Sequence, residues 1–187
     1  LVADLPITQG NAIATYKPAE YRYEFTIALD DHVDAKKLYI VAVTFITDVV
    51  KEKPALLDGI FDDPFFVNNL TYSGSDLGVT YTTNESIFKV WAPTTQALKL
   101  RLYDNGTPVR VNNQKGSDEY VEHLFVRGDY GVWSVTVPGD LHGKYYTLVA
   151  TNSNGTKEFI DPYAKAAGIN GIRGMIVDFN KTNPTGW

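Results

Sequence analysis

The three histidines are the side chains best suited to proton transfer near neutral pH, and none of them stands in a catalytic motif. His32 lies in an acidic stretch, His123 in a predicted strand and His142 in a loop. The Gly-x-Ser-x-Gly turn of serine hydrolases is absent, and the chain has no cysteine. The sequence therefore predicts no catalytic residue and no thiolate metal site.

Two clusters of carboxylates offer the oxygen ligands that Ca²⁺ prefers. They are Asp30-Asp31-His32 and Asp62-Asp63. Neither has the spaced Asp, Gly and Glu pattern of a calcium-binding loop, and the chain has no glycine-rich phosphate loop. We expect solvated acidic turns, no metal site and no cofactor, with a surface calcium ion as the alternative that these residues leave open.

Exposed aromatic rings are a different kind of candidate, because they stack against the apolar faces of sugars. The five candidates are Trp91, Tyr103, Tyr130, Trp133 and Tyr145. Trp133 shares a strand face with two valines, which indicates a core position. Trp91 lies off the apolar face of its strand, so a docking surface for another domain is as good an interpretation as a sugar site. Tyr103, which precedes Asp104-Asn105-Gly106, is the best candidate for an exposed stacking ring.

The length and charge of the chain exclude several classes of protein. At 187 residues it is too short for a (β/α)8-barrel enzyme, which needs about 200. A net charge of −5 argues against nucleic acid as a partner, and the lack of any apolar run of about 18 residues argues against membrane insertion. The chain begins at Leu1 with neither an initiator Met nor a signal peptide, so we expect a processed chain or an excerpt from a longer one.

The first third of the chain has the patterns of a small β module. Residues 1–19 are predicted as coil with one short strand. Residues 21–29 alternate apolar and polar side chains, and residues 38–47 are rich in β-branched types, so these two segments are predicted to pair as an antiparallel ribbon. Residues 48–78 are predicted as a linker with local turns. Because two strands rarely stand alone, the module of residues 1–74 is incomplete unless its other strands lie in residues 1–19 or upstream.

From residue 79 onward the chain has the rhythm of an all-β sandwich. Short alternating strands are separated by turn residues such as Asn105-Gly106 and Pro138-Gly139. The predicted strands are 86–91, 97–103, 119–126, 131–137, 144–151, 156–160 and 174–179. The residues Leu141-x-Gly143-x-x-Tyr146 suit a tyrosine corner, in which the Tyr146 hydroxyl bonds back to the backbone and Leu148 and Ala150 are core. The fold class is therefore all-β, with an immunoglobulin-like sandwich over residues 75–187.

Several motifs in this region resemble, in the same order, the N-terminal β-sandwich of type I pullulanases. They are YSGSDLG at 72–78, FKVWAP at 88–93, GVWSV at 131–135, GDLHGKYY at 139–146, DPYAKA at 161–166, NGIRG at 170–174 and NPTGW at 183–187. That sandwich is a family-48 carbohydrate-binding module, which precedes the catalytic barrel in α-1,6-acting members of glycoside hydrolase family 13. Residues 1–71 are similar, more loosely, to the β module that precedes it.

The departures from the family bear on activity and binding. The family's catalytic carboxylates lie on barrel strands, and their motifs are absent here, so the resemblance implies no hydrolysis by this chain alone. Glycogen-binding members of the module family carry two stacking tryptophans and a lysine. At those places this chain has Glu158, Tyr103-Asp104-Asn105 and Thr147. We therefore expect weak or no glucan binding, with Tyr103, Asn105 and Asn170 as what remains of a carbohydrate-binding face.

The resemblance implies a non-catalytic accessory region of a bacterial α-1,6-glucan debranching enzyme. We expect it to dock on the catalytic barrel of the same enzyme and stabilise it, through Trp91, Asp161, Tyr163 and Trp187. A true starch-, glycogen- or pullulan-binding module is the first alternative, with α-glucan as partner. A surface adhesin or spacer of tandem sandwiches is the second. A secreted or cell-surface location is favoured over the cytoplasm, because the substrate would be a polymer.

Overall fold

The computed structural model describes residues 12–27, 33–35, 37, 39–44, 47–55, 57, 59–112, 115–152, 154–184 and 186. The chain divides into two compact units, Leu1–Asp34 and Ala35–Trp187. The strands of the described residues are β1 (Ala12–Lys17), β2 (Arg22–Ile27), β3 (Ile40–Thr44), β4 (Val50–Pro54), β5 (Gly78–Tyr81), β6 (Glu85–Trp91), β7 (Ala97–Tyr103), β8 (Val121–Leu124), β9 (Val126–Arg127), β10 (Val132–Pro138), β11 (Tyr145–Asn152), β12 (Gly155–Phe159) and β13 (Gly174–Met175). The described residues also contain one α-helix, α1 (Pro64–Leu70), which lies between β4 and β5.

The first unit contains a hairpin rather than the predicted ribbon of residues 21–29 and 38–47. β2 pairs with β1 along its whole length, from Ala12 opposite Ile27 to Lys17 opposite Arg22. The connection is a single 3-10 turn that ends at Tyr21, whose φ of 51° is left-handed. The predicted pairing is wrong because a short local turn closes a hairpin at a lower entropy cost than a longer loop does.

The segment predicted as the second strand pairs forwards in the chain. β3 is antiparallel to β4, with Ile40 opposite Pro54 and Thr44 opposite Val50. β4 lies within residues 48–78, which were predicted as a linker. All five β4 side chains are exposed, and four of them are charged or proline, so its sequence lacks the apolar alternation by which strands are recognised.

The same predicted linker also contains the helix α1. Asp63 caps its N-terminus and accepts the N–H groups of Phe65 and Phe66 at 2.8 and 3.1 Å. Pro64 follows at the first helical position, where its missing N–H costs nothing. The pair Asp63-Pro64 was therefore a signal in the sequence for the start of a helix. The helix itself has only two turns, which is too short to show the 3.6-residue periodicity of apolar side chains.

The second unit contains the predicted sandwich, and the all-β, immunoglobulin-like fold is confirmed. One sheet has the order β5-β6-β10-β9, and the other has the order β12-β11-β7-β8, with β13 also on β11. All pairs are antiparallel. The two inner faces enclose one apolar core, whose fully buried members include Phe88, Leu98, Leu100, Tyr146, Leu148 and Ile176. Trp133 belongs to this core, as its strand pattern predicted.

Two predicted strands are divided or shortened by the sandwich geometry. The segment 119–126 crosses between the sheets at Phe125, which is buried, so β8 pairs with β7 whereas β9 pairs with β10. The segment 174–179 keeps only the two residues of β13. Beyond them, Ile176 exchanges backbone hydrogen bonds with Gly143 and Lys144 instead of continuing along β11.

The predicted boundary between residues 74 and 75 stays a prediction. The compact units divide after Asp34, and β3, β4 and α1 lie in the same unit as the sandwich. The first strand of the sandwich is β5, which begins at Gly78.

Candidate functional site

Three sequence positions that were compared with a glycogen-binding face converge on the outer surface of one sheet. On β7 the leucines point inwards, so Arg101 points outwards. Thr147 lies directly opposite Arg101 on the neighbouring strand β11. Glu158, on β12, lies opposite Val149 of β11, and its carboxylate reaches Thr147. Residues far apart in the chain therefore meet because their strands are adjacent.

The carboxylate of Glu158 is the centre of this group. Its Oε1 accepts hydrogen bonds from the hydroxyls of Thr147, at 2.6 Å, and of Tyr103. Its Oε2 receives Arg101 Nη1 at 2.6 Å. Arg101 Nε also reaches Glu122 of β8 at 3.4 Å. Both carboxylate oxygens of Glu158 are thus engaged by neighbouring side chains.

The electrostatics of Glu158 follow from these contacts. Partial burial raises its pKa, but the hydrogen bonds from Thr147 and Tyr103 and the charge of Arg101 outweigh burial, so the pKa lies below its usual value. Burial and the bond to Glu158 together raise the pKa of the Tyr103 hydroxyl. Glu158 is therefore a stably ionised carboxylate that serves as a structural acceptor, and it is a poor proton donor.

The expectation that Tyr103 is an exposed stacking ring is wrong. Its exposed fraction is 4%. The guanidinium of Arg173 lies 3.7 Å from the ring centroid, and the ring of Tyr120 meets it edge-on at 5.8 Å between centroids. The ring is covered because the NGIRG segment folds back over it, a contact that the local sequence around Tyr103 does not show. Its role in carbohydrate binding stays a prediction.

Arg173 organises this region and was not among the predicted site residues. It is only 3% exposed, and its guanidinium donates to the carbonyls of Asn105 and Ser117 at 2.6 and 2.8 Å and to Asp118 at 2.8 Å. These bonds hold the loop between β7 and β8 against Tyr103. The signal available in the sequence was its place in NGIRG, one of the motifs that resemble the pullulanase sandwich.

Above these side chains lies a shallow cleft of ≈ 550 Å³. Its polar lining includes Arg101, Arg110 and Glu158. Two partly exposed rings also line it, Tyr120 at 46% and Phe159 at 38%. The face of Tyr120 is shared with Arg101, whose guanidinium lies 4.2 Å from its centroid. Tyr120 was not among the predicted site residues, although it lies in the predicted strand 119–126, where it follows Asp118 and Glu119.

The two predicted asparagines lie at the margin of this region. The side chain of Asn105 forms its hydrogen bonds within its own loop, since Nδ2 donates to the Lys115 carbonyl and Oδ1 accepts the N–H of Thr107. Asn170 is exposed in a turn and has a left-handed φ of 54°. Its neighbours Gly171 and Ile172 line the cleft. Carbohydrate binding by either asparagine stays a prediction.

The predicted docking residue Trp91 contacts a segment of its own chain. Its Nε1 donates to the carbonyl of Leu70, the last residue of α1, at 2.8 Å and to that of Tyr130 at 3.0 Å. Phe66 of α1 packs against the indole at 6.4 Å between centroids. Trp91 thus fastens α1 to the sandwich, with 37% of the residue still exposed. A contact with a further domain stays a prediction.

Asp161 and Tyr163 of the DPYAKA motif have opposite surroundings. Asp161 is 4% exposed and accepts the Tyr146 hydroxyl at 2.9 Å and the Tyr163 N–H at 2.8 Å. The prediction that Tyr146 bonds to backbone is therefore wrong, because a carboxylate occupies the corner. Asp161 is buried within this chain, and its part in docking stays a prediction. Tyr163 is 55% exposed. The fourth predicted docking residue, Trp187, lies outside the described residues.

Of the two predicted acidic turns, the structure describes only the one at Asp62-Asp63. Asp30, Asp31 and His32 lie outside the described residues, whereas Asp63 is committed to capping α1. Among the described residues, no group of three or more His, Asp or Glu side chains is placed to hold a metal ion. In the same part of the chain, none of the helices has the length and apolar character needed to cross a membrane.

The sandwich is similar to a known class of carbohydrate-binding module. Residues 76–164 match the family model of carbohydrate-binding module 48, described as the isoamylase N-terminal domain. The resemblance to a family-48 module is thereby confirmed, and such modules are non-catalytic.

More particularly, the chain is similar to pullulanases along most of its length. It is 29% identical to the pullulanase of Bacillus subtilis (strain 168) over 94% of this chain and 22% of that protein. The crystal structure of the pullulanase from Anoxybacillus sp. LM18-11 has a TM-score of 0.66 at 28% identity, over 87% of this chain and 21% of that one. The crystal structure of the Paenibacillus barengoltzii pullulanase in complex with maltohexaose and α-cyclodextrin has a TM-score of 0.58 at 35% identity, over 67% of this chain and 18% of that one. The chain thus spans about a fifth of the length of these relatives.

Proposed function

We propose that this chain is the N-terminal accessory region of an α-1,6-glucan debranching enzyme of the pullulanase type. Its role is to dock on the catalytic barrel of the same enzyme and to stabilise it. The proposal is supported by similarity over 94% of this chain to a pullulanase of which it covers only 22%. The barrel belongs to the remaining part of such an enzyme, and this chain contributes no catalytic group.

The second part of the proposal is that the module binds α-glucans weakly or not at all. The observation that carries it is the closed group around Glu158. Sugar hydroxyls gain affinity by bonding to amides and carboxylates that are otherwise unsatisfied. Here Tyr103, Thr147 and Arg101 satisfy Glu158, and Arg173 covers Tyr103, so a sugar would have to break existing bonds to form its own.

A true glucan-binding module is the alternative, and one observation favours it. Tyr120 and Phe159 expose aromatic surface to the ≈ 550 Å³ cleft, which is the chemistry of a sugar platform. Calorimetric titration of the chain with maltoheptaose decides between the two. We expect no binding tighter than about 1 mM, or 4 kcal/mol. Micromolar affinity that is lost in both Tyr103→Ala and Tyr120→Ala, but kept in Tyr130→Ala, would establish the alternative.

The docking role is tested on the longer polypeptide that contains this chain. Its thermal unfolding is compared with that of the same polypeptide lacking residues 1–187. A docked module stabilises the folded barrel, because any group that binds only the folded state shifts the unfolding equilibrium. We expect a lower unfolding temperature without the module. An unchanged temperature would refute docking.

A further inference from the structure

A second cleft has a different set of lining residues from the cleft beside Glu158. Its volume is ≈ 370 Å³, and it runs between the edge strand β5 and the segment that follows the DPYAKA motif. The lining residues that matter most here are Thr80, Tyr163, Lys165, Ile176 and Phe179. We refer to it as the Tyr163 cleft.

The ring of Tyr163 is presented to this cleft by a rigid support. Its backbone N–H is held by Asp161, which Tyr146 anchors to the core. Its backbone also lies so close to Gly78 that a Cβ there would stand 2.9 Å from the Tyr163 Cβ. Burying a carboxylate is unfavourable. Asp161 is nevertheless buried, with 4% of the residue exposed, and it holds the backbone of Tyr163, which is 55% exposed. A pre-ordered exposed ring loses little entropy when a partner covers it.

A second exposed ring and an exposed lysine line the same cleft as Tyr163. Phe179 is 53% exposed and begins a 3-10 turn that Asp178 caps by accepting the N–H of Asn180 at 3.0 Å. Lys165 is exposed and lines the same cleft. Among the described residues, no carboxylate pairs with Lys165. The cluster around Glu158 is the opposite case, because Arg101 already pairs with Glu158 and Glu122.

We propose that the Tyr163 cleft is the surface on which the catalytic domain of the same polypeptide docks. That domain presents apolar side chains to Tyr163 and Phe179 and a carboxylate to Lys165. The inference rests on the proposed function and assigns its docking contact to one surface, in which Asp161 acts as a support rather than as a contact.

The choice of occupant follows from the order of the chain. The matched module is described as an N-terminal domain, so the rest of such an enzyme follows it. The wall of the cleft, residues 165–180, comes directly after the matched segment 76–164. A domain tethered there meets the cleft at high effective concentration, so a modest apolar surface with one ion pair is sufficient.

The test compares four variants in two contexts, the 187-residue chain and the longer polypeptide that contains it. Lys165→Glu and Phe179→Ser alter the cleft at exposed positions. Lys157→Glu on β12 and Val126→Ser on β9 are matched controls, since both side chains are also exposed. We expect the cleft variants to lower the unfolding temperature by ~3 °C or more in the longer polypeptide and by less than ~1 °C in the chain alone. The controls should lower it by less than ~1 °C in both contexts.

The outcomes separate this inference from the proposed function. If deletion of residues 1–187 destabilises the longer polypeptide but the cleft variants behave like the controls, the docking surface lies elsewhere and the inference fails alone. If the deletion has no effect, the proposed docking role fails. If maltoheptaose perturbs the NMR signals of Tyr163 and Phe179 in the chain, the cleft is a sugar site and the inference is overturned.

Discussion

Tyr146→Phe removes one oxygen atom from the buried corner and leaves the ring in the core. In the wild type this hydroxyl donates to Asp161 at 2.9 Å, and both residues are buried, at 1% and 4% exposed. Without it, the carboxylate keeps the N–H of Tyr163 as its partner. A hydrogen bond to a charged group contributes about 1.5–3 kcal/mol, so we expect a loss of about 2 kcal/mol at pH 7. For a domain of this size that lowers the unfolding temperature by roughly 4–8 °C.

The cost should depend on pH, and its sign follows from Asp161. Burial raises the pKa of Asp161 in the folded state, while the N–H of Tyr163 and the hydroxyl of Tyr146 oppose that rise. A raised carboxyl pKa means that the folded state binds the proton more readily than the unfolded state, so stability falls as the pH rises from the unfolded pKa through the folded one. Removing the hydroxyl raises the folded pKa further. The variant is therefore penalised most at neutral pH, and at low pH it loses only a neutral hydrogen bond of about 1 kcal/mol.

Urea unfolding at pH 7 and pH 4, followed by tryptophan fluorescence, measures this difference. Tyr145→Phe is the matched control, because the adjacent tyrosine is half-buried on the same strand and its hydroxyl has no bond among the described residues. We expect the control to change stability by less than about 0.5 kcal/mol at either pH. Two outcomes would contradict this role of the Tyr146 hydroxyl. One is that Tyr146→Phe lowers the free energy of unfolding at pH 7 by no more than the control does, and the other is that the loss is as large at pH 4 as at pH 7.

Three further substitutions test other parts of the second unit. Ser86→Ala should leave the free energy of unfolding in urea unchanged or raise it by up to about 1 kcal/mol, because the buried Ser86 hydroxyl has no hydrogen-bond partner among the described residues. Trp91→Phe should lower the free energy of unfolding by about 1 kcal/mol, because the hydrogen bond to the Leu70 carbonyl is lost. It should also speed amide hydrogen exchange in α1, measured by mass spectrometry. Gly131→Ala should destabilise by about 2 kcal/mol or more in thermal unfolding, since φ is +73° and the new Cβ would lie 2.6 Å from Pro93 Cβ.

The sandwich could be predicted because its information is local. The alternation of leucines in residues 97–103 and the run of apolar residues around Trp133 report which side chains face the core, and both strands are found where the pattern places them. The N-terminal hairpins could not be predicted in the same way. The segments of β2 and β3 have strand character, but the choice of partner depends on turn closure, which period-two alternation does not encode. The segment of β4 lacks that character altogether.

The candidate site was only partly visible in the sequence. The positions of Tyr103, Thr147 and Glu158 were compared with a binding face, and the structure brings all three together. What alignment by motif did not show is that Arg173, 70 residues further along than Tyr103, lies over its ring. Exposure is set by residues distant in sequence, so a tyrosine beside an Asn-Gly turn has the pattern of a surface ring whether or not it is covered.

The sequence by itself determined the fold class, the absence of cysteine chemistry, the core strands and the likeness to pullulanases, because periodicity, composition and ordered motifs do not depend on three-dimensional contacts. Only the tertiary structure decided which polar residues are free to meet a partner. It buried Asp161 and left Tyr163 exposed two residues later, and it closed Glu158 within a group of its own neighbours. The physical reason is that hydrogen bonds and burial belong to the assembled strands, where side chains compete for the same donors and acceptors before any ligand arrives.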